Sequence, residues 1–303
     1  MNRLALMETF IGVVETGSFS AAAKRLRVGQ PAVSKSVAQL ERRLGVRLLM
    51  RSTRGLTPTE AGQNFYERAR RTIEEADEAD LAARGASPGL VGILRVSAAV
   101  SLACLHIVPR LPFFLAAHPS LSVDLILSDR QVDLIPEGVD IAFRAGQLRD
   151  SSLIARKIAT CRRLVLGAPS YFERAGVPAT PAELTRHMAV IYSEQGEGVG
   201  GDNLSFRQGE LEIPVTLSGR LRISAAEGVR AAVVGGMGLA IASEWMFAPE
   251  IASGAVRAVV TAWPLPALDL WALFPASSRP SDKARTFAAF VEAEMRKPYS
   301  AQE

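Results

Sequence analysis

The feature that most constrains the fold is a pair of short amphipathic helices, joined by three residues, within the first 58 residues. Before the pair, apolar residues recur with the period of a helix at Leu4, Met7, Ile11 and Val14, flanked by Leu6, Phe10 and Val13. Gly17 is placed to end this helix, and Ser18 to cap a second one that buries Phe19, Ala22, Ala23 and Leu26. After the turn at residues 27–29, Pro31 begins a third helix, whose inward residues are predicted to be Val33, Val37, Leu40 and Leu44. Two helices that cross closely at small alanines around such a turn indicate a helix-turn-helix.

The third helix presents polar side chains on the face opposite its valines and leucines. Lys35 and Gln39 have the donors and acceptors needed to read base edges in a major groove, while Gln30 and Ser34 can bond to phosphates or bases. A solvated face on an ordinary helical bundle is the alternative interpretation. The predicted DNA-binding residues are Ser18, Ser20, Gln30, Pro31, Ser34, Lys35, Gln39, Arg42, Arg51, Thr53 and Arg54.

A short basic hairpin is predicted to follow the third helix. Residues 47–51 favour a strand, 52–55 a turn and 56–57 a returning strand, which is the pattern of a wing. Arg51 and Arg54 are expected to lie along phosphates or in the minor groove. Residues 1–58 contain ten bases and three acids, a net charge of +7, against −3 for residues 59–88 and zero for the remainder. This asymmetry indicates a polyanionic partner, with a solubilising basic face as the alternative.

Residues 59–88 are predicted to form a dimerisation helix followed by a hinge. No helix breaker occurs from Gln63 to Arg84, and apolar or small residues recur there at helical spacing. The seam is narrow, which favours close packing against a second helix, and a partner chain is the expected source of that helix. The predicted dimerisation residues are Phe65, Ala69, Ile73 and Ala76, and the hinge lies at residues 85–89.

From residue 89 onward, strands alternate with helices, which predicts an α/β sheet. Strands are expected at residues 93–96, 123–127, 141–143, 163–167, 189–192, 221–223, 238–241 and 268–273, the last returning to the first lobe. Helices are expected over residues 105–115, around Leu134 and over 282–295. The predicted fold class is α+β multi-domain: a winged helix-turn-helix at 1–58, a long linker helix and hinge at 59–88, and a two-lobed α/β domain at 89–303. Lobe I is predicted at 89–163 and 268–303, and lobe II at 164–267.

These motifs together resemble the LysR-type family of transcriptional regulators over almost the whole chain. The sequence motifs that match in the first domain are Phe19-Ser-Ala-Ala-Ala, Gln30-Pro-Ala-Val-Ser-Lys, Leu44-Gly-Val-Arg-Leu-Leu, the Arg51-Ser-Thr-Arg wing and Thr57-Pro-Thr-Glu-Ala-Gly. In the second they are Gly92-Ile-Leu-Arg-Val-Ser, Val108-Pro, His118-Pro, residues 132–146 and Gly235-Gly-Met-Gly-Leu-Ala. The sequence departs from the pattern at Gly29, Met50 and Leu204, where Ser, Phe and Trp are common. The last departure bears on loops near the ligand, so effector identity does not transfer.

The resemblance implies an effector domain similar to type 2 periplasmic binding proteins, homodimers and homotetramers on double-stranded DNA, and RNA polymerase as a candidate partner. Ligands of open sheets bind at the carboxyl ends of strands. Ala99–Ser101 follow the first strand and open a helix whose free N–H groups favour an anion, so an organic acid is the candidate effector. Arg144 ends another strand and is expected to pair with that acid, or else to form a structural ion pair, and each serine has a cap or turn as its alternative role. The predicted effector-binding residues are Ala99, Val100, Ser101, Ser128, Arg144, Tyr192, Ser193 and Ser224.

Cofactor, metal and membrane patterns are not expected in this sequence. Cys104 and Cys161 are expected to be reduced, as in a cytoplasmic protein, and the three histidines are far apart. No uncharged apolar stretch of about 18 residues occurs. The alternative function is an α/β small-molecule-processing enzyme, or a ligand receptor, with an appended helical domain, although no Ser/His/Asp or Cys/His set supports catalysis. A nucleoid-type DNA binder is a third interpretation, and the 215-residue α/β half argues against it.

Overall fold

The computed structural model describes residues 2–52, 55–83, 90–130, 134, 138–146, 148, 153–192, 203–275 and 280–297. The chain divides into an N-terminal unit, which contains Met1–Gly92, and a C-terminal unit, which contains Ile93–Leu134 and Val139–Glu303. Separate clusters of buried apolar side chains fill the two units.

The N-terminal unit is a helical bundle with one hairpin. Its elements are α1 (Arg3–Thr16), α2 (Phe19–Leu26), α3 (Gln30–Leu44), β1 (Leu49–Ser52), β2 (Gly55–Pro58) and α4 (Glu60–Ala83). Gly17 ends α1 at a φ of 63°, and the Ser18 hydroxyl accepts a bond from the backbone N–H of Ala21. These are the ends that the sequence predicts, because glycine adopts the left-handed conformation at little cost and serine caps a helix start.

The core of this unit forms where the helices meet. Its buried residues are Leu6, Phe10, Leu40, Leu48 and Tyr66 in one cluster, and Val13, Ala22, Ala23, Val33 and Val37 in another. The buried face of α1 is therefore centred on Leu6, Phe10 and Val13, and Leu4 lies only half-buried at its edge. The prediction that Leu44 points inward is wrong. As the last residue of α3, it extends past the core and is 38% exposed.

The hairpin begins two residues later than the sequence predicts. β1 and β2 pair antiparallel, with Leu49 opposite Pro58 and Ser52 opposite Gly55. Where β1 begins, the Glu41 carboxylate on α3 accepts hydrogen bonds from the backbone N–H groups of Leu48 (2.7 Å), the residue before the strand, and Leu49 (3.2 Å), its first residue.

The structure corrects the predicted dimer seam on α4. The Phe65 ring packs edge-on against Phe10 of the same chain, with the ring centroids 5.5 Å apart. Ala69 is 1% exposed within the single chain, so it has no surface to offer a partner. Phe65, Ile73 and Ala76 are each half-buried, so of the four predicted residues only Ala69 is fully buried within the single chain.

In the C-terminal unit, one five-stranded sheet has the order β4-β3-β5-β14-β6. Its strands are β3 (Gly92–Ala98), β4 (Leu121–Leu127), β5 (Ile141–Ala145), β6 (Leu153–Cys161) and β14 (Leu268–Pro275). β3 and β5 are parallel, and β14 runs antiparallel to both β5 and β6. The return of β14 to this sheet confirms the predicted placement of that strand. We call this sheet, with the helices that pack on it, lobe I.

Two helical segments cover lobe I. The run Val100–Ala117 begins as α5 (Val100–Leu102), passes through a π-helical and a 3-10 turn, and ends as α6 (Leu111–Ala117). By length and apolar content this run could cross a membrane, but its Phe114 ring stacks with Phe287 of α10 (Asp282–Met295), 5.0 Å away. Arg110 in the same run pairs with Glu294 of α10 at 3.0 Å. The run is therefore a core helix of lobe I.

Three smaller sheets form what we call lobe II. Its strands are β7 (Arg163–Gly167), β8 (Met188–Tyr192), β9 (Asn203–Gln208), β10 (Leu211–Thr216), β11 (Ser218–Ile223), β12 (Ala240–Ser243) and β13 (Arg257–Val259). The sheets have the orders β12-β7-β13, β11-β8 and β10-β9, and β8 and β11 are parallel. The helices of lobe II are α7 (Pro169–Ala175), α8 (Ala226–Val234) and α9 (Ala248–Ser253).

Most expected strands of the C-terminal unit are present, with shifted ends. β12 begins at Ala240, two residues after its predicted start, and Leu239 forms only an isolated bridge with Ala189. Four strands, β6, β9, β10 and β13, are additional to the prediction. Of the helix expected around Leu134, only Leu134 lies among the described residues, where it is buried in a turn.

Candidate nucleic-acid interface and ligand cleft

The outer face of α3 carries the predicted DNA-reading residues. Gln30, Pro31, Ser34, Lys35 and Arg42 are exposed there, and Gln39 is half-buried. The opposite face, with Val33, Val37 and Leu40, is in the core. The helical period therefore sorts the polar and apolar residues as the sequence indicates.

The two predicted serines lie at the start of α2. The Ser18 hydroxyl lies 2.9 Å from that of Ser20 and also caps the helix, as the sequence predicts. Ser20 is exposed. Arg51 lies in β1, while Thr53 and Arg54 lie outside the described residues.

Two of the three acids in the basic segment are held inside the N-terminal unit. Glu15 pairs with Arg25 at 2.6 Å and accepts a hydrogen bond from the Tyr66 hydroxyl at 3.1 Å. Glu41 binds the backbone before β1 and so fixes where the hairpin leaves α3. Sequence reasoning missed this role of Glu41. The signal was an acid on an otherwise basic recognition helix.

The helix opening expected to bind an anion is already capped by a carboxylate of this chain. The Val100 N–H donates to Asp129 Oδ1 at 3.0 Å, and the Ala226 N–H of α8 donates to Asp129 Oδ2 at 2.9 Å. Ala99 is the half-buried residue that precedes the helix. The Val100 N–H at this opening is therefore not free, because Asp129, which follows β4, accepts its hydrogen bond.

The remaining lobe I residues of the predicted site bind each other or lobe II. Ser101 is 4% exposed and donates to Glu227 Oε1 of α8 at 2.7 Å. The Ser128 hydroxyl accepts from the Arg130 N–H at 3.1 Å, which is a turn role. Sequence reasoning missed both Asp129 and Glu227. Asp129 directly follows Ser128 at a strand end, which was the available signal.

Arg144 binds neutral oxygens. Its guanidinium donates to Ser97 Oγ at 2.9 Å, to the Phe143 carbonyl at 3.1 Å and to the Arg130 carbonyl at 3.3 Å. The side chain thus ties β3 and β5 to the turn that carries Asp129, which is a structural role.

On the lobe II side, the predicted residues are less engaged in the described contacts. Tyr192 is half-buried at the end of β8 and packs against the core beneath α8. Ser224 is exposed just after β11. Ser193 lies outside the described residues.

A separate cavity of about 540 Å³ lies between α10 and the β12–α9 region. Its charged side chains pair with acids or bases nearby, as in Arg110–Glu294 at 3.0 Å and Arg162–Glu244 at 2.9 Å. Burial, reinforced by the Arg110 charge, lowers the pKa of His106 in its wall, although the hydrogen bond with the Trp245 carbonyl opposes this. Burial also raises the pKa of the nearby Cys161 thiol to about 12, so this cysteine is unreactive. Among the described residues, no group of three or more His, Cys, Asp and Glu side chains is placed to hold a metal ion.

A helix-turn-helix with a wing, joined through a long helix to a two-lobed α/β unit, defines a DNA-binding regulator that carries a ligand-binding domain. Residues 4–63 match the family model of bacterial regulatory helix-turn-helix proteins of the lysR family, and residues 87–296 match the LysR substrate binding domain. The chain belongs to the LysR family of transcriptional regulators, and it is a regulator rather than an enzyme. Members of the family bind DNA and small-molecule effectors and form oligomers.

Relatives and solved structures agree with this assignment. The chain is 37% identical over 286 residues to an HTH-type transcriptional regulator of Xanthomonas campestris pv. campestris, covering 93% of this chain and 82% of the relative. It is 34% identical over 248 residues to the HTH-type transcriptional regulator CrgA of Neisseria meningitidis, covering 82% of each. The crystal structure of CrgA matches with a TM-score of 0.60 and 30% identity, covering 98% of this chain and 100% of that one. The structure of full-length AphB, a virulence activator of Vibrio cholerae, matches with a TM-score of 0.56 and 27% identity, covering 96% of this chain and 99% of that one.

Proposed function

We propose that this regulator reads DNA with the outer face of α3, where Lys35 and Gln39 contact bases. Gln30, Pro31 and Ser34 line the same groove. Phosphate contacts come from Ser18, Ser20, Arg42, Arg51, Thr53 and Arg54. The observation that carries the proposal is that the outer face of α3 is exposed and free of acids, within a segment of net charge +7.

Fluorescence anisotropy with DNA from upstream of its own gene tests the division of roles. Arg42→Ala should weaken binding to all sequences alike and reduce the salt slope by about 0.9, the value for one phosphate contact. Gln39→Ala should reduce the preference for the specific site by about 1–3 kcal/mol and leave non-specific binding nearly unchanged. Arg207→Ala, which removes one exposed charge from β9 in lobe II, is the matched control and should behave as wild type. Equal losses on specific and random DNA in Gln39→Ala would contradict the base-reading role.

We further propose that a small organic acid is the effector and binds in the cleft between the ends of β3 and β4 in lobe I and the ends of β8 and β11 in lobe II. Ala99, Val100, Ser101, Ser128, Arg144, Tyr192, Ser193 and Ser224 surround it, with Arg144 acting through the Asp129 turn. The support is a position at the carboxyl ends of parallel strands, where two helices begin. Thermal unfolding against a panel of small carboxylates and neutral aromatics tests the ligand class. A shift with neutral compounds alone would exclude an acid.

The assembly proposed is a homodimer that pairs two α4 helices, and a homotetramer of such dimers on DNA. The proposed contacts are Phe65, Ala69, Ile73 and Ala76, of which Ala69 is buried within the single chain and the other three are half-buried. The domains are 1–58, 59–88 and 89–303, the last with lobe I at 89–163 and 268–303 and lobe II at 164–267. RNA polymerase is the proposed protein partner. The proposed location is the cytoplasm, because the DNA is there. The molar mass from light scattering tests this contact between α4 helices. Ile73→Glu should yield monomers, whereas Thr72→Glu, at an exposed neighbouring position, should not.

A further inference from the structure

A single carboxylate caps two helices that belong to different lobes. The residues that precede α5 and α8, Ala99 and Ala225, have no side-chain acceptor, and neither helix start has a side-chain cap of its own. Asp129 supplies both acceptors, with Oδ1 on Val100 N and Oδ2 on Ala226 N at 3.0 and 2.9 Å. A carboxylate at a helix start is favourable because it meets free N–H groups and the positive end of the dipole.

The turn that carries Asp129 is itself held in place. The Ser128 N–H donates to the Ala98 carbonyl at 3.0 Å, and Arg144 donates to the Arg130 carbonyl at 3.3 Å. Asp129 is therefore pre-positioned by lobe I, and its bond to Ala226 is a tether from lobe I to lobe II. A second tether, Ser101 to Glu227 at 2.7 Å, lies one residue further along each helix.

We propose that Asp129 is an internal ligand that holds the lobes together without effector and that an acidic effector acts by displacing it. This rests on the proposed organic-acid effector, whose carboxylate would take over the same two N–H groups. A tethered side chain competes at a high effective concentration, so Asp129 sets the effector concentration at which the cleft responds. Once Asp129 leaves Ala226, α8 is no longer joined to the turn at residues 128–130, and only the Ser101–Glu227 bond and the bound effector connect it to α5.

Hydrogen exchange of the full-length protein, resolved to single amides, tests the tether directly. In Asp129→Ala, the Val100 and Ala226 amides should exchange at least about 10-fold faster, the ratio that corresponds to about 1.4 kcal/mol. In Asp129→Asn, an NH2 group, which is a donor, replaces one of the two carboxylate oxygens, so only the backbone amide that faces it should lose protection. Asp124→Ala is the matched control, since Asp124 lies on β4 near the same turn, carries the same charge and pairs with Arg95. It should leave both amides unchanged.

Sodium acetate serves as the probe for displacement, with sodium chloride at equal ionic strength as its control. Acetate should restore protection and raise the unfolding temperature of Asp129→Ala in a saturable way, and it should act on wild type at concentrations at least about 10-fold higher, whereas a wild type that never responds would contradict displacement. Unchanged exchange at both amides in Asp129→Ala, or no acetate effect beyond that of chloride, would overturn the proposal.

DNA binding of the same variants separates this proposal from the proposed function. If no variant binds DNA while acetate rescue holds, the tether stands and the DNA-binding role fails. If DNA binding is intact but exchange does not respond to Asp129→Ala, the tether fails alone. If exchange responds while acetate leaves the DNA footprint of Asp129→Ala unchanged, the tether stands and its regulatory role is refuted.

Discussion

Substitution of Gly62 by alanine should destabilise the N-terminal unit, although alanine favours a helix. A Cβ on Gly62 would lie 1.9 Å from the Leu48 carbonyl oxygen, and real Cβ atoms essentially never come closer than 3.0 Å. That oxygen cannot retreat freely, since it accepts the Thr59 N–H at 2.9 Å and the N–H of Leu48 is held by Glu41. Overpacking costs about 1–3 kcal/mol and the weakened hydrogen bond about 1 kcal/mol. Alanine regains about 1 kcal/mol of helix propensity, so the net loss is about 1–3 kcal/mol.

Gly12→Ala provides the matched comparison, because it is the same substitution inside a helix of the same unit. The new Cβ would meet Leu26 Cδ1 at 3.4 Å, an ordinary contact, so this variant should be neutral or slightly more stable. Calorimetry of the full chain should show the N-terminal transition of Gly62→Ala at least about 4 °C lower, since 1 kcal/mol corresponds to about 4–8 °C in a domain of this size. If Gly62→Ala unfolds at the same temperature as Gly12→Ala, the contact with Leu48 is not what the geometry indicates.

Three further substitutions test other contacts. Glu41→Ala makes the N-terminal unit more basic, so charge alone predicts tighter DNA binding. Because the substitution also removes the hydrogen bonds that hold the start of the hairpin, we expect the affinity for DNA in gel shifts to fall about 10-fold instead, which is about 1.4 kcal/mol. Phe287→Ala, in the aromatic core of lobe I at 0% exposure, should lower the unfolding free energy by about 3–5 kcal/mol in chemical denaturation. Burial lowers the pKa of His106 below 6.5, so the unfolded chain binds a proton that the folded chain does not. Stability should therefore fall as the pH drops from 6.5, by up to about 1.4 kcal/mol per pH unit, and His106→Gln should flatten that fall in denaturation series at pH 7.5 and 5.5.

The N-terminal unit was predictable because its determinants are local. A helical period, a serine cap and two glycine stops identify α1, α2 and α3 from neighbouring residues alone. The departures arise where a distant group intervenes. The hairpin starts at Leu49, where a glutamate from α3 binds the amides of Leu48 and Leu49, and a strand propensity does not register such a contact.

The C-terminal unit was predictable wherever strands are buried. β6 was missed because it is an edge strand in which Arg156 and Lys157 are exposed, so it has no apolar run. The β9–β10 hairpin did carry a signal, since Leu204 and Phe206 alternate with polar residues before a turn at Gly209, whose φ is 59°. Alternation of this kind around a glycine turn is typical of a hairpin.

The DNA-reading face and the cleft differ in predictability for the same reason. All the α3 residues lie within 15 positions of one another on one helix, so their shared face follows from the period. The cleft joins Val100, Asp129 and Ala226, which only the tertiary fold brings together. The sequence near Val100 indicated that an anion binds at the start of α5. It could not reveal that the anion is the carboxylate of Asp129 in the same chain.

The same chemical device occurs twice in this protein, and it changes how the charge pattern should be interpreted. Glu41 and Asp129 each hold two backbone amides, one pair before the hairpin and one pair at the helix starts in the cleft. An acid used in this way fixes the position of the backbone that it binds, and its charge faces N–H groups instead of solvent. The headpiece therefore presents DNA with a more uniformly basic face than its residue count suggests. In the cleft, the organic acid that we propose as the effector would meet an equivalent carboxylate already in place, so its binding would be an exchange whose outcome depends on ligand concentration.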